Sequence, residues 1–182
     1  IFLVLLFNRL AAEWLGSHPQ EAKNPQSKAT ALRAIFQNNL RGIDLNPTAC
    51  HIACFSLYLA YLDQFDPRSI RQHCETIGKF LPNLIASPKS SQPKGPRQHI
   101  PVITEADFLK HETPESEAFD YIIGNPPWAE RGGKSLEQRF MLAAPAHLKN
   151  ACKGGFLLPS KVLLNKTNDF QALLLSMKSD FD

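Results

Sequence analysis

The chain has 182 residues, of which 43% are hydrophobic and 20% are charged, and its formal net charge is +3. This apolar content is enough to bury a core, which excludes a disordered or collagen-like chain. The length predicts one domain, and no period of about 20 to 50 residues repeats, which argues against a solenoid. The charge is too small to imply a nucleic-acid partner, so any such partner has to be argued from a site.

The cysteine content and the first residues indicate the cellular compartment and whether the sequence contains a membrane or export segment. Cys50, Cys54, Cys74 and Cys152 are too few for a disulfide framework and include no pair spaced like a zinc or redox site. A reducing, cytoplasmic location fits this usage. Cys50, His51 and Cys54 have helical spacing on an apolar helix, where we expect them to be core residues, so we assign no metal. The opening run IFLVLLF is far shorter than the ~18 residues of a bilayer span, and no basic segment precedes it. The sequence therefore predicts no membrane or export segment.

The first half of the chain predicts helices that alternate with strands. In order, the pattern predicts a helix over 1–15, a break over 16–25, a helix over 28–37 and a strand over 40–45. Asn46 is expected to cap a third helix, which has Pro47 in its first turn and continues to Leu62. Prolines, serines and basic residues over about 82–101 indicate an irregular insertion loop.

The second half predicts further strands and helices. Strands are expected from Ile100, over 119–124 and from Phe156, with helices over 136–151 and from about Asn168 to the end. The apolar run at 119–124 suits a strand that is covered on both faces. This alternation predicts an α/β fold, with a mostly parallel sheet and helices on both faces. Ligands of such folds gather at the carboxyl ends of strands, so functional residues should follow strands.

A short proline-rich motif follows the strand predicted over 119–124, namely Asn125, Pro126, Pro127 and Trp128. Two consecutive prolines fix φ and remove two amide donors, so the turn is rigid and rich in acceptors. The backbone carbonyls of Asn125 and Pro126, with the Asn125 side-chain oxygen, suit an amino group. Trp128 adds a flat face for a planar heterocycle. The tetrapeptide leaves one alternative open, a buried turn with Trp128 in the core.

The segment FDYIIGNPPW resembles the catalytic motif of amino-group DNA methyltransferases, chiefly the adenine-N6 group of restriction-modification systems. That family's pattern is Asn or Asp, Pro, Pro and an aromatic residue. GIDLNP at 42–47 and EADFL at 105–109 are similar to its second and third cofactor motifs, and GGFLLPSKVLL at 154–164 is similar to the strand and turn after its catalytic helix. The resemblance implies a Rossmann-like class I methyltransferase fold.

The resemblance also implies S-adenosylmethionine as the methyl donor. Asp44 would grip both ribose hydroxyls, Asp107 would accept from the cofactor's adenine amino group, and Phe108 would pack on the adenine ring. IFLVLLF looks like the helix after the family's glycine-rich loop, which assigns Phe2 to the cofactor as well. The alternatives are a helix-capping role for Asp44, and an exposed Asp107 beside a core Phe108.

The implied activity is methyl transfer to the exocyclic amino group of adenine in DNA, with the target base flipped out of the duplex. Asn125, Pro126, Pro127 and Trp128 would form the catalytic turn, in which Trp128 also stacks on the base. Arg131 and Lys134 would contact DNA phosphates, and a solvated basic surface is the alternative for them. Base readout in this family belongs to a separate recognition domain or specificity subunit, and no segment here resembles one.

The chain departs from the family's pattern in its glycine-rich loop. No G-x-G occurs, and the helix that should follow that loop starts at residue 1. We therefore expect residues 1–182 to be a partial catalytic domain, incomplete at both ends, which binds S-adenosylmethionine poorly and is inactive alone. Two other functions remain open. A protein-glutamine or RNA amino-methyltransferase carries a similar turn, and a truncated methyltransferase-fold module would lack turnover.

Overall fold

The computed structural model describes residues 1–72, 74–79, 84, 101–128, 130–131, 134–160, 171–172 and 175. The chain divides into two compact units, Ile1–Asp107 and Phe108–Asp182, which we call unit 1 and unit 2. Each unit combines helices with a pair of parallel strands, so the α/β class predicted from the sequence is confirmed. The single domain, and the single sheet with helices on both faces, stay predictions.

Unit 1 consists mainly of helices around one short parallel strand pair. Its helices are α1 (Phe2–Ser17), α2 (Pro25–Asn39), α3 (Pro47–Leu62), α4 (Pro67–Gln72) and α5 (Cys74–Lys79). Its strands are β1 (Gly42–Asp44) and β2 (Ile103–Glu105), which pair in parallel with Asp44 opposite Glu105. The three helices and the strand expected before residue 63 are confirmed. The strand expected from Ile100 is confirmed as the shorter β2.

Unit 2 contains a parallel pair of strands, a short hairpin and a helix. Along the chain these are β3 (Phe119–Gly124), β4 (Glu130–Arg131), β5 (Lys134–Ser135), α6 (Leu136–Ala143) and β6 (Leu148–Phe156). β3 pairs in parallel with β6, so that Gly124 lies opposite Phe156. β4 pairs antiparallel with β5, with Glu130 opposite Ser135, and the sequence pattern did not predict this hairpin.

The helix expected over 136–151 is wrong beyond Ala143. Pro145 has no amide hydrogen and disfavours a helical backbone at the preceding residue, and a 3₁₀ turn, Ala144–His147, follows α6. β6 then occupies Leu148–Phe156, whereas the sequence predicted a strand only from Phe156. Gly154 and Gly155 were interpreted as the stop signal of a helix, but they lie inside β6.

The expectation that β3 is covered on both faces is also wrong. Tyr121 and Ile123, which alternate along the strand and therefore share one face, are 67% and 54% exposed. On β6, Gly155 lies opposite Ile123 and has no side chain with which to cover that face.

Two predicted segments lie mostly outside the described residues. The structure describes only residues 84 and 101 of the insertion loop predicted over 82–101. Of the helix predicted from Asn168, it describes residues 171–172 and 175. Within the described ranges, no helix has the length and apolar character needed to cross a membrane.

Helices α2, α3 and α4 begin with the same residue pair, an Asn or Asp followed by a Pro. The pairs are Asn24–Pro25, Asn46–Pro47 and Asp66–Pro67. In each pair, the side-chain oxygen accepts hydrogen bonds from the amides two and three residues further along, at distances of 2.9 to 3.4 Å. The proline loses nothing at this position, because the first amides of a helix have no intrahelical partner. The cap predicted at Asn46 is therefore confirmed.

The core of unit 1 is built around packed aromatic rings from its three long helices. Phe7 of α1 lies parallel to Phe36 of α2 with ring centroids 4.3 Å apart, and Tyr61 of α3 lies 6.1 Å from Phe36. All three rings are completely buried. The Tyr61 hydroxyl donates a hydrogen bond to the Ile77 carbonyl at 3.2 Å, and burial raises the pKa of this phenol to about 12. Helix packing in unit 1 therefore depends on Phe36, which contacts both neighbours.

We predict that Phe36→Ala lowers the free energy of unfolding by about 3–5 kcal/mol, because it removes a buried ring and leaves a cavity. The matched control is Phe55→Ala on α3, where the ring is 64% exposed. That control should change the free energy of unfolding by no more than about 0.5 kcal/mol. Urea denaturation followed by circular dichroism measures both variants, and equal effects would contradict this account of the core.

Candidate active site

The turn at Asn125–Pro126 has the same residue pair as the three helix starts, but no helix follows it. A cap at Asn125 would lose one of the two amide donors used at those starts, because Pro127 has no amide hydrogen. Pro127 also disfavours a helical backbone at Pro126. In the part of the chain that the structure describes, the Asn125 side chain therefore caps no helix, and it is exposed.

The turn is held in place by the strand pair of unit 2. The Leu157 amide, just after β6, donates to the Gly124 carbonyl at the end of β3, at 3.0 Å. The Trp128 indole Nε1 donates to the Leu157 carbonyl at 3.4 Å, which ties one edge of the ring to the same segment. The indole is nevertheless 58% exposed, whereas Pro126 is buried. The turn thus has a buried anchor beside an exposed amide and an exposed aromatic ring.

Asp44 ends β1, and its neighbour across the strand pair is Glu105. Asp44 Oδ1 accepts a hydrogen bond from the Asn46 amide at 2.8 Å, and the Asp44 carbonyl accepts one from the Ala106 amide at 3.0 Å. The Asp44 side chain is exposed, and within the described residues its Oδ2 has no hydrogen-bond partner. Its carboxylate therefore supports the local turn with one oxygen and presents the other to solvent.

Cys50 packs beneath this strand end. Its thiol donates a weak hydrogen bond to the Asp44 carbonyl at 3.5 Å. Burial, followed by the nearby carboxylates of Asp44 and Glu105, raises the pKa of Cys50, and burial raises the pKa of Cys54 to about 11. Both side chains are almost completely buried in the apolar core, so their interpretation as core residues is confirmed. The same interpretation is wrong for His51, which is exposed and whose Nδ1 lies 2.6 Å from the Pro47 carbonyl oxygen. Among the described residues, no group of three or more His, Cys, Asp or Glu side chains could hold a metal ion.

Asp107 follows β2 by two residues and is partly buried. Because β1 and β2 run in parallel, Asp44 and Asp107 come from the same, carboxyl, edge of this strand pair. Phe2 is the first residue of α1 and is partly buried. The next residue, Leu3, approaches Gly42 so closely that a Cβ there would lie 2.8 Å from Leu3 Cδ1, so a larger residue at this position would force the Leu3 side chain to shift.

Phe108 has aromatic neighbours that the sequence pattern did not reveal. Its ring lies parallel to Phe140 of α6 at 5.2 Å between centroids, and it lies 4.6 Å from the ring of His147. The sequence contains little indication of these contacts, because the seven-residue spacing of Phe140 and His147 is common in any amphipathic helix. Phe108 therefore has part of its ring engaged within unit 2.

Two buried polar residues at the start of α6 were also missed. Glu137 and Gln138 are 0% and 1% exposed, and their four side-chain oxygen and nitrogen atoms have no hydrogen-bond partner among the residues that the structure describes. Burial of such atoms without partners costs free energy. A hydrogen-bond donor or acceptor from another segment or molecule would therefore stabilise these polar groups in the first turn of α6. Arg131 and Lys134, predicted to contact phosphates, belong to β4 and β5, and their side chains lie outside the described part.

A comparison with protein families decides the relationship of this chain. The model of the Eco57I restriction-modification methylase family matches residues 38–180, which is most of the chain. The chain belongs to this family. The matched range includes β1 with Asp44, the turn Asn125–Trp128 and β6. No curated protein matched the chain in a sequence comparison. Membership of a restriction-modification methylase family points to methyl transfer with DNA as the substrate.

We predict that Cys74 reacts with a thiol reagent in the native protein, whereas Cys50 and Cys54 react only when the chain unfolds. Cys74 is exposed, while burial raises the pKa of the other two thiols and shields them from the reagent. The rates are measured at pH 8 in a Cys152→Ser background, with and without urea. A fast native reaction that persists after Cys74→Ser would contradict the buried position of Cys50 beneath Asp44.

Proposed function

We propose that this protein transfers a methyl group from S-adenosylmethionine to the exocyclic amino group of adenine in DNA. One observation carries the proposal. Asn125 exposes a side-chain amide that caps no helix among the described residues, directly after a parallel strand and three residues before the exposed ring of Trp128. Membership of the Eco57I restriction-modification methylase family supports DNA as the substrate.

The carboxylates of unit 1 suit the nucleoside part of the cofactor. Asp44 has an exposed carboxylate at the end of a strand, and an oxygen without a partner among the described residues can accept from a ribose hydroxyl. Asp107, at the same edge of the strand pair, would accept from the adenine amino group. Phe108 would pack on the adenine ring, and Phe2 would contribute apolar surface. When bound, S-adenosylmethionine supplies a methyl group that its sulfonium already activates.

Asn125 and Pro126 would hold the amine that receives the methyl group. The Asn125 side-chain oxygen and the Pro126 carbonyl each accept one of the two amino hydrogens. Both hydrogen bonds draw the nitrogen lone pair out of conjugation with the ring and stabilise the positive charge that develops on the amine. Pro126 and Pro127 keep these acceptors rigid, so little reorganisation is required during the reaction. As the methyl group passes to the amine, the rest of the cofactor would leave as a neutral thioether, and the methylated amine would lose its extra proton to water. This scheme needs no general base from the protein.

The remaining residues of the turn and hairpin would hold the DNA. Trp128 stacks on the target base, which offsets part of the few kcal/mol that base flipping costs. Arg131 and Lys134, on β4 and β5 just after the turn, contact phosphates and position the duplex. A separate recognition domain or specificity subunit would supply the contacts that read the base sequence.

Because residues 1–182 are expected to be inactive alone, the substrate is tested with the full-length protein. It is incubated with methyl-labelled S-adenosylmethionine and with duplex DNA, RNA or a release factor. A second DNA carries hypoxanthine in place of adenine and therefore lacks the exocyclic amine. We predict that label enters only adenine-containing DNA and is recovered as N6-methyladenine after digestion to nucleosides. Recovery of the label in RNA, in a protein glutamine or in cytosine would contradict the proposed substrate.

The roles of Asn125 and Asp44 are separated by a pair of variants in a methylation-competent form of the protein. Asn125→Ala should lower the methylation rate by at least about 100-fold, because it removes an acceptor that acts on developing charge. Its dissociation constant for S-adenosylmethionine should stay within about twofold, since Asn125 contacts the base and not the cofactor. Asp44→Asn should raise that dissociation constant about 10- to 100-fold and spare the rate at saturating cofactor.

Exposed residues of the same types provide the controls. Asn38→Ala at the end of α2 and Asp63→Asn after α3 should change neither the rate nor the dissociation constant. Calorimetry measures binding, and filter counting of labelled DNA measures turnover. Full activity of Asn125→Ala, or weak cofactor binding in that variant, would overturn the assignment of Asn125.

A further inference from the structure

His147 is a buried histidine that contacts both ends of the segment 108–113. Its ring centroid lies 4.6 Å from that of Phe108, and its Nδ1 lies 2.7 Å from the Thr113 hydroxyl oxygen. The residue is 4% exposed. An imidazole combines a flat ring with a polar nitrogen, so this one side chain both packs on Phe108 and hydrogen-bonds to Thr113.

The surroundings of His147 keep its ring neutral. Burial, followed by the nearby ring of His111, lowers the pKa of His147. The His111 ring lies 6.2 Å away and is nearly parallel, with an interplanar angle of 15°. A neutral imidazole has one N–H and one acceptor nitrogen. Its Nδ1 therefore donates to the Thr113 hydroxyl in one tautomer and accepts from it in the other.

The backbone around His147 is fixed by the elements on either side. His147 ends the 3₁₀ turn that follows α6, and the next residue begins β6, which pairs with β3. Phe108 stacks on Phe140 of α6 and also packs on His147. Side chains from two consecutive elements therefore restrict the ring of Phe108. This restriction lowers the conformational entropy that the side chain would lose when a ligand packs on it.

We propose that His147 is a positioning residue that holds Phe108 in the orientation in which it packs on the adenine ring of S-adenosylmethionine. This inference rests on the proposed function, because Phe108 is assigned to the cofactor there. His147 itself contacts neither cofactor nor DNA in this account. It acts through Phe108, and the Thr113 hydroxyl fixes the imidazole in turn.

The test compares substitutions that separate the ring from the hydrogen bond. His147→Leu removes both and should raise the dissociation constant for S-adenosylmethionine about fivefold to tenfold, with the rate at saturating cofactor within about twofold. His147→Phe restores a ring against Phe108 and should recover most of the affinity. Thr113→Val keeps the shape of the side chain but removes the hydroxyl, so it should weaken binding less than His147→Leu does.

Coupling and control variants identify the route of the effect. In a Phe108→Leu background, His147→Leu should cause no further loss of affinity, because the residue through which it acts is already gone. The control is His18→Leu, since His18 is an exposed histidine that stacks on Trp14 at 5.1 Å. It should leave cofactor binding unchanged. Thermal unfolding establishes that each variant is folded.

The environment of the Phe108 ring is also measured by nuclear magnetic resonance in the absence of cofactor. With Phe108 labelled by ¹³C, its ring resonances should shift in His147→Leu and return towards the wild-type positions in His147→Phe. Wild-type affinity in His147→Leu, or unchanged Phe108 resonances, would overturn this inference and leave the proposed function standing. If the full-length wild-type protein binds no S-adenosylmethionine and methylates no DNA, both fail.

Discussion

The missing amide of Pro127 is the constraint on which the candidate site depends. An asparagine followed by one proline starts α2 and α3, because the side-chain oxygen finds amides two and three residues further along. At Asn125 the first of those amides does not exist, so the same chemical group is left for another use. A second proline thus converts a helix start into a rigid turn that presents acceptors.

This turn would be of little use without the strand pair behind it. The amide and carbonyl of Leu157 contact Gly124 and Trp128, so the register of β3 against β6 fixes both ends of the turn. Gly124 is packed under Phe156, where an added Cβ would lie 3.2 Å from its ring. Rigid elements hold reacting groups more accurately than loops do, which suits a reaction that depends on orientation.

Each unit has its own means of placing functional groups. In unit 1, packed aromatic rings from three helices lie in the core, and the parallel pair β1 and β2 carries Asp44 and Asp107 at one edge. In unit 2, Phe108 lies against Phe140 and His147, which ties the residue after Asp107 to α6 and to the start of β6. Carboxylates at strand ends and a restrained aromatic ring are the groups that a nucleoside requires.

The sequence by itself determined the features that depend on near neighbours. Asn46 caps α3 because its partners lie two and three residues away, and the NPPW turn follows β3 because a proline pair ends any regular element. Only the tertiary structure decided that β6 begins at Leu148, that Tyr121 is exposed and that His147 meets Phe108. These features depend on pairing and packing between residues tens of positions apart, and a local pattern of residue types carries no record of such contacts.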